Sequence, residues 1–149
     1  MSEGDHILIS LEPRHAINIL QGTKRVELRR RVLNVKPGTT VWFYAKAPVA
    51  SVIGRARIER THHAAPNTLW RKFSGVVGIS REEFFAYFKG TTKGAALVLA
   101  DAVRLHRHVS LKELRCPEMG CHPPQFFSRL APGHPLTNVA GMTSKKIET

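Results

Sequence analysis

Cysteine is scarce: Cys116 and Cys121 are the only two in a chain of 149 residues. A disulfide framework of the kind that staples small secreted domains is therefore not expected, and no charged-then-apolar leader opens the chain, so the cytoplasm is the expected compartment. Long apolar runs are also missing. The longest, Ala95 to Ala100, ends at Asp101 and is far short of the ~20 residues a membrane helix needs, so no membrane partner is expected. Neither the serine elbow G-x-S-x-G nor the zinc-binding H-E-x-x-H occurs, and no internal repeat is present, which removes the most compact nucleophile and metalloprotease signatures. The spacing of Cys116, Cys121 and His122, with His106 and His108 upstream, is wider than the usual paired ligands of zinc, so two free thiols, no metal and no cofactor are expected.

Acidic residues are few. Eleven Asp plus Glu stand against 23 Lys plus Arg, a formal net charge of +12. A field of that sign raises the encounter rate with polyanions, so nucleic acid becomes a favoured partner. What remains is ordinary: 42% hydrophobic and 23% charged residues describe one globular domain with a real core.

The periodicity changes several times along the chain. His6 to Leu11 reads as a first strand, and Pro13 opens a short helix that Gly22 closes. A second strand over Lys24 to Arg30 puts Val26 and Leu28 on one face and Arg25, Glu27 and Arg29 on the other. Strict alternation would leave Lys24 on the face of Val26, so it joins Glu27 only if the chain kinks at Gly22 and Thr23. After the turn signal Lys36-Pro37-Gly38, strands are expected over Val41 to Ala45 and Val49 to Arg60, the latter with Arg55 and Arg57 on a basic face that could lie beside the first. Helices are expected from Pro66 and from Ser80, where Ser80 and Glu83 read as a capping box and Phe84, Phe85, Tyr87 and Phe88 supply core bulk. His62 and His63 are read as loop residues without a role. Strand character returns over Gly94 to Val109, a small helix follows over Ser110 to Arg115, a helical turn is expected over 125–130, and Ala131 to Thr149 reads as a poorly packed tail to a domain spanning 1–130.

The organising stretch is Gly22-Thr23-Lys24-Arg25-Val26-Glu27-Leu28-Arg29-Arg30-Arg31. Together with Ile7-Leu8-Ile9-Ser10-Leu11-Glu12-Pro13, Tyr44-Ala45, Pro48, Ile53-Gly54 and Pro123-Pro124-Gln125, it resembles the ASCH (activating signal cointegrator homology) domain. That resemblance implies an α+β fold, a small mixed β-barrel of the PUA-like type with short helices covering its ends. It also implies a surface cleft that binds nucleic acid, RNA ahead of DNA, in a regulator of RNA metabolism or transcription. The family's G-x-K-x-x-E-x-R pattern falls on Gly22, Lys24, Glu27 and Arg29, with Arg31, Tyr44, Arg55 and Arg57 as further expected contacts. In this assignment Lys24 and Arg29 neutralise phosphate or donate to a base edge, and Glu27 accepts or holds the two cations. The alternative is a hydrolase of the same family, a ribonuclease or an N4-acetylcytidine amidohydrolase, with Lys24 and Glu27 catalytic. The amidohydrolase branch places a threonine where this chain has Glu27.

Overall fold

A computed structural model describes residues 4–124 and 127–138. Six strands and four short helices follow one another along it: β1 (His6–Leu11), α1 (Pro13–Gln21), β2 (Val26–Arg29), β3 (Thr40–Ala45), β4 (Ser51–Ala64), α2 (Pro66–Phe73), α3 (Arg81–Tyr87), β5 (Gly94–Ser110), α4 (Leu111–Arg115) and β6 (Phe127–Leu130). The strands form one sheet in the order β2-β5-β4-β3-β1-β6. β1 and β3 run parallel and the other pairs antiparallel, and the sheet curls into the half-barrel of an α+β fold.

Alternation along the strands divides the core in three. Ile7, Ile9, Val41, Phe43, Ile58, Leu97 and Leu99 point to the concave side, where Ala16 and Ile19 of α1 close over them. Leu8, Trp42 and Tyr44 point the other way, into a cluster with Leu105, Val109 and Leu114. Val26, Leu28 and Ala96 pack beneath α2 and α3 on Leu69, Phe73, Phe84 and Phe88. Strand β2 is therefore covered on both faces, and its polar side is the one that looks into the barrel.

Three local expectations change. Residues 127–130 form a strand rather than a helical turn, because the free edge of β1 offers them a ladder from His6↔Leu130 to Ile9↔Phe127; residues 125 and 126 lie outside the described residues. His62 and His63 belong to the end of β4, in register with Ala96 and Ala95. At Ser80 the hydroxyl accepts from the Glu83 backbone N–H at 3.1 Å, but the Glu83 carboxylate turns to Arg14; the reciprocal capping box forms at Ser110 and Glu113 instead. Beyond residue 130, Leu136 is fully buried in the Trp42 cluster, and 139–149 lie outside the described residues.

Packing of α3 on β5 leaves no room at Gly94. A Cβ there would stand 2.4 Å from Phe88 Cε1, and Phe88 is itself wedged against Phe84 with ring centroids 4.9 Å apart. Gly94→Ala is expected to lower stability by about 1–3 kcal/mol through overpacking, read as a lower urea midpoint at unchanged slope.

Candidate functional site

Gly22 sets the site's geometry. It caps α1 in the left-handed region at φ 86°, which an L side chain resists. The exit is kinked as the alternation argument requires: the N–H groups of Thr23 and Lys24 both donate to the Asn18 carbonyl, at 3.0 and 3.1 Å, and that of Arg25 donates to Val76 at 2.8 Å. The ladder of β2 begins only at Val26, and Lys24 turns inward.

The Lys24 stem lies along Gly78, where a Cβ would approach its Cβ to 3.0 Å. Its ammonium donates to the Val77 carbonyl at 2.6 Å and stands 3.8 Å from Glu27 Oε1, while Arg29 Nη2 stands 3.2 Å from Glu27 Oε2. Glu27 is opposite Leu97 in the ladder, on the concave side of the sheet. Lys24 and Glu27 are only 3% and 6% exposed, so this triad of charges is held out of bulk water. Burial pushes the Lys24 ammonium below its ordinary 10.5, partly opposed by Glu27.

The triad forms the floor of an open cavity of about 220 Å³. Ser10 and Leu11 line it from the end of β1, Arg14 and His15 come from α1, Lys46 follows β3, and Glu83 and Tyr87 come from α3. His15 is driven below its usual 6.5 by burial and then by the Lys24 charge, and its buried Nδ1 has no hydrogen-bond partner among the described residues. Arg14 spans the mouth with two hydrogen bonds to Glu83, which hold the Glu83 carboxyl below its ordinary range. The Tyr87 hydroxyl donates to the Leu28 carbonyl at 3.2 Å, fixing its ring beside β2, and burial raises its pKa.

Of the residues expected at the site, Lys24, Glu27 and Arg29 are brought together. Gly22 shapes the turn and lines a neighbouring hollow instead. Arg31 is exposed in a groove that adjoins the cavity at Arg29. Tyr44 is 7% exposed in the outer cluster and reaches the cavity only through Ser10, its partner in register. Arg55 and Arg57 do not join Glu27. Strand β5 lies between β4 and β2, and the two arginines occupy the convex face, Arg55 over the Trp42 ring at 5.4 Å and Arg57 paired with Asp101 at 3.0 Å. Arg14, His15, Lys46, Glu83 and Tyr87 also line the cavity, where sequence reasoning did not place them. Cys116 and Cys121 are free thiols, and among the described residues no three His, Cys, Asp or Glu side chains converge on a metal position.

Comparison with known proteins bears on this architecture. A family model described as a domain of unknown function (DUF365) matches residues 10–117. A protein named ASCH domain-containing ribonuclease from Zymomonas mobilis subsp. mobilis is 36% identical over 123 residues, 83% of this chain and 82% of that protein. The large ribosomal subunit protein uL22 of Ureaplasma parvum serovar 3 is 27% identical over 107 residues, 72% of this chain but 34% of that protein. A crystal structure of a mutant ASCH protein from Zymomonas mobilis matches at a TM-score of 0.86 and 32% identity, covering 97% of this chain and 100% of that one. A second, of ASCH from the same organism, matches at 0.83 and 34% identity over 90% and 93%. At that identity and coverage, and with the same half-barrel, the chain belongs to the ASCH domain family.

Proposed function

We propose that this chain binds single-stranded RNA at the Lys24 cavity and cleaves it. The observation that carries the reading is Lys24 itself, an amine 3% exposed at the floor of an open cavity. A desolvated cation is costly to fold around, and a buried, charge-coupled amine in a cleft marks a functional site. The ribonuclease name of the Zymomonas relative supports RNA as the substrate, and the chain's net charge of +12 supports binding to phosphates.

Cleavage within RNA needs a base, an acid and a cation. In this proposal the neutral His15 imidazole takes the proton of the ribose 2′-hydroxyl. The 2′-oxygen bonds to the adjacent phosphorus, the bond from phosphorus to the 5′-oxygen breaks, and the Lys24 ammonium gives its proton to that oxygen. The products are a 2′,3′-cyclic phosphate and a 5′-hydroxyl. Arg29 and Arg14 offset the phosphate charge, and Glu27 keeps Lys24 protonated until it is used.

The test is incubation of the purified protein with a short single-stranded RNA at two salt concentrations, following retention and strand integrity together. Salt-sensitive retention with cleavage supports the proposal; an intact strand under saturating protein removes the catalytic part, and absence of retention removes all of it. The pH profile carries its own expectation. A base must be unprotonated and an acid protonated, so the rate should rise with pH through the lowered His15 value, below 6.5, and fall as Lys24 loses its proton, below 10.5. A rate that climbs steadily to pH 10.5 would contradict the role given to Lys24.

A further inference from the structure

Beyond Arg29 the cavity opens into a second, larger space of about 800 Å³. The two share Arg29 and Tyr87 as a common wall, but their charge differs. The inner cavity is lined by Arg14, Lys24, Arg29 and Lys46 against the carboxylates of Glu12, Glu27 and Glu83. The outer groove is lined by Arg29, Arg30, Arg31 and Lys93, with no carboxylate among its described residues. The outer space lies within the ~300–1,000 Å³ typical of ligand sites, whereas the inner one is below that range and suits a single ring system.

The groove is built rather than merely basic. Arg30 is fixed by its Nε donating to Thr91 Oγ1 at 3.0 Å and its Nη2 to the Lys89 carbonyl at 2.9 Å, so its guanidinium stays over the loop that follows α3. Apolar surface interleaves with the cations: Val32 is 54% exposed and Tyr87 38%, and Phe127 of β6 closes the far side. Cations along a track with aromatic and aliphatic faces between them are the composition of a single-strand path, in which phosphates meet charge and bases meet apolar faces. A duplex would present its phosphates without free base faces.

We propose that this groove is a flanking subsite that takes the nucleotides adjoining the one held at Lys24, so that the substrate is an oligonucleotide and not a free nucleoside or mononucleotide. The proposal rests on the reading of the Lys24 cavity as an RNA site. It makes length a determinant of affinity: a mononucleotide fills the inner cavity, where carboxylates offset most of the cations, and gains nothing from the outer ones, whereas each further phosphate in the groove adds a salt-sensitive contact.

The experiment measures binding of fluorescein-labelled single-stranded 2′-O-methyl RNA of two and eight nucleotides, which lacks the free 2′-hydroxyl that cleavage needs, to the full chain and to its Arg31→Ala/Lys93→Ala variant over a series of salt concentrations. Both side chains are exposed, so a thermal melt that matches the parent's is expected and checks the fold. For the octamer, affinity should fall about tenfold or more, and the slope of log K against log salt should shrink by about 1.4, two contacts at ~0.7 each; for the dinucleotide the change should be within about twofold. If the parent binds the octamer and the variant binds it with the same affinity and slope, the groove is not on the strand path and the inner site stands alone. If the parent binds neither RNA, the reading of the Lys24 cavity fails and the groove proposal falls with it.

Discussion

Lys24→Met is expected to slow RNA cleavage at least 100-fold while leaving the chain folded. General acid catalysis is worth roughly 10²–10⁴ in rate, and among the described residues the other amine of the cavity, Lys46, is exposed. Methionine is nearly as long as the lysine stem, so the contacts along Gly78 survive and no void opens. The Val77 carbonyl loses a donor, but Glu27 keeps Arg29 as its partner, and the cost of desolvating an ammonium disappears. These terms oppose one another, so the melting temperature should move by no more than about 2–4 °C, the equivalent of roughly 1 kcal/mol for a chain of this size.

Lys24→Arg separates charge from proton transfer. A guanidinium does not give up its proton in this range, so salt-sensitive RNA retention should persist while single-turnover cleavage is lost. Alanine would be a poorer probe. It would remove four methylenes from a packed stem and add a cavity penalty of its own. A Lys24→Met rate within threefold of the parent, measured under single-turnover conditions, would take Lys24 out of the chemistry.

The local pieces of this arrangement were legible in the sequence because they depend on neighbours in the chain. Pro13 and Gly22 bracket α1, the alternation of Val26 to Arg29 separates two faces, and the run Ala95 to Ala100 lies in β5, paired on both sides by β2 and β4. Long-range facts were not legible. The order that inserts β5 between β2 and β4 decides that Arg55 and Arg57 point away from Glu27, and no local pattern encodes it. The burial of β2 on both faces was not legible, because α2 and α3, which cover its apolar side, come more than 35 residues later. Glu83 was hidden by a local explanation that is half true: Ser80 does cap α3, but the carboxylate belongs to Arg14, 69 residues away. Lys24 was the intermediate case. Its position followed from a kink that Gly22 permits, but only the Asn18 carbonyl, which accepts from two successive N–H groups, fixes it.

Glu27→Ala is expected to be the most destabilising single change in the site. Glu27 lies between Lys24 and Arg29 at 3.8 and 3.2 Å, and at 6% exposure it is the charge that makes burial of those cations tolerable. Removing one member of a buried ion pair while leaving the other typically costs about 3–5 kcal/mol, a fall of roughly 6–20 °C in melting temperature at this chain length. Glu27→Gln keeps an acceptor and should lose less. The double variant Glu27→Ala/Lys24→Met removes the stranded ammonium and should recover at least about 1 kcal/mol of the loss, a coupling that independent sites would not show. The pH dependence fixes the sign of the effect. Without Glu27 the folded chain favours neutral Lys24 more strongly, and Lys24 already sits below 10.5. The unfolded chain then binds more protons than the folded one just below pH 10.5, so the stability of Glu27→Ala should rise with pH through that window. Equal melting temperatures for parent and Glu27→Ala at pH 7, or a variant whose stability falls as pH rises toward 10, would mean that water already solvates the three charges and that the desolvation argument for Lys24 is wrong.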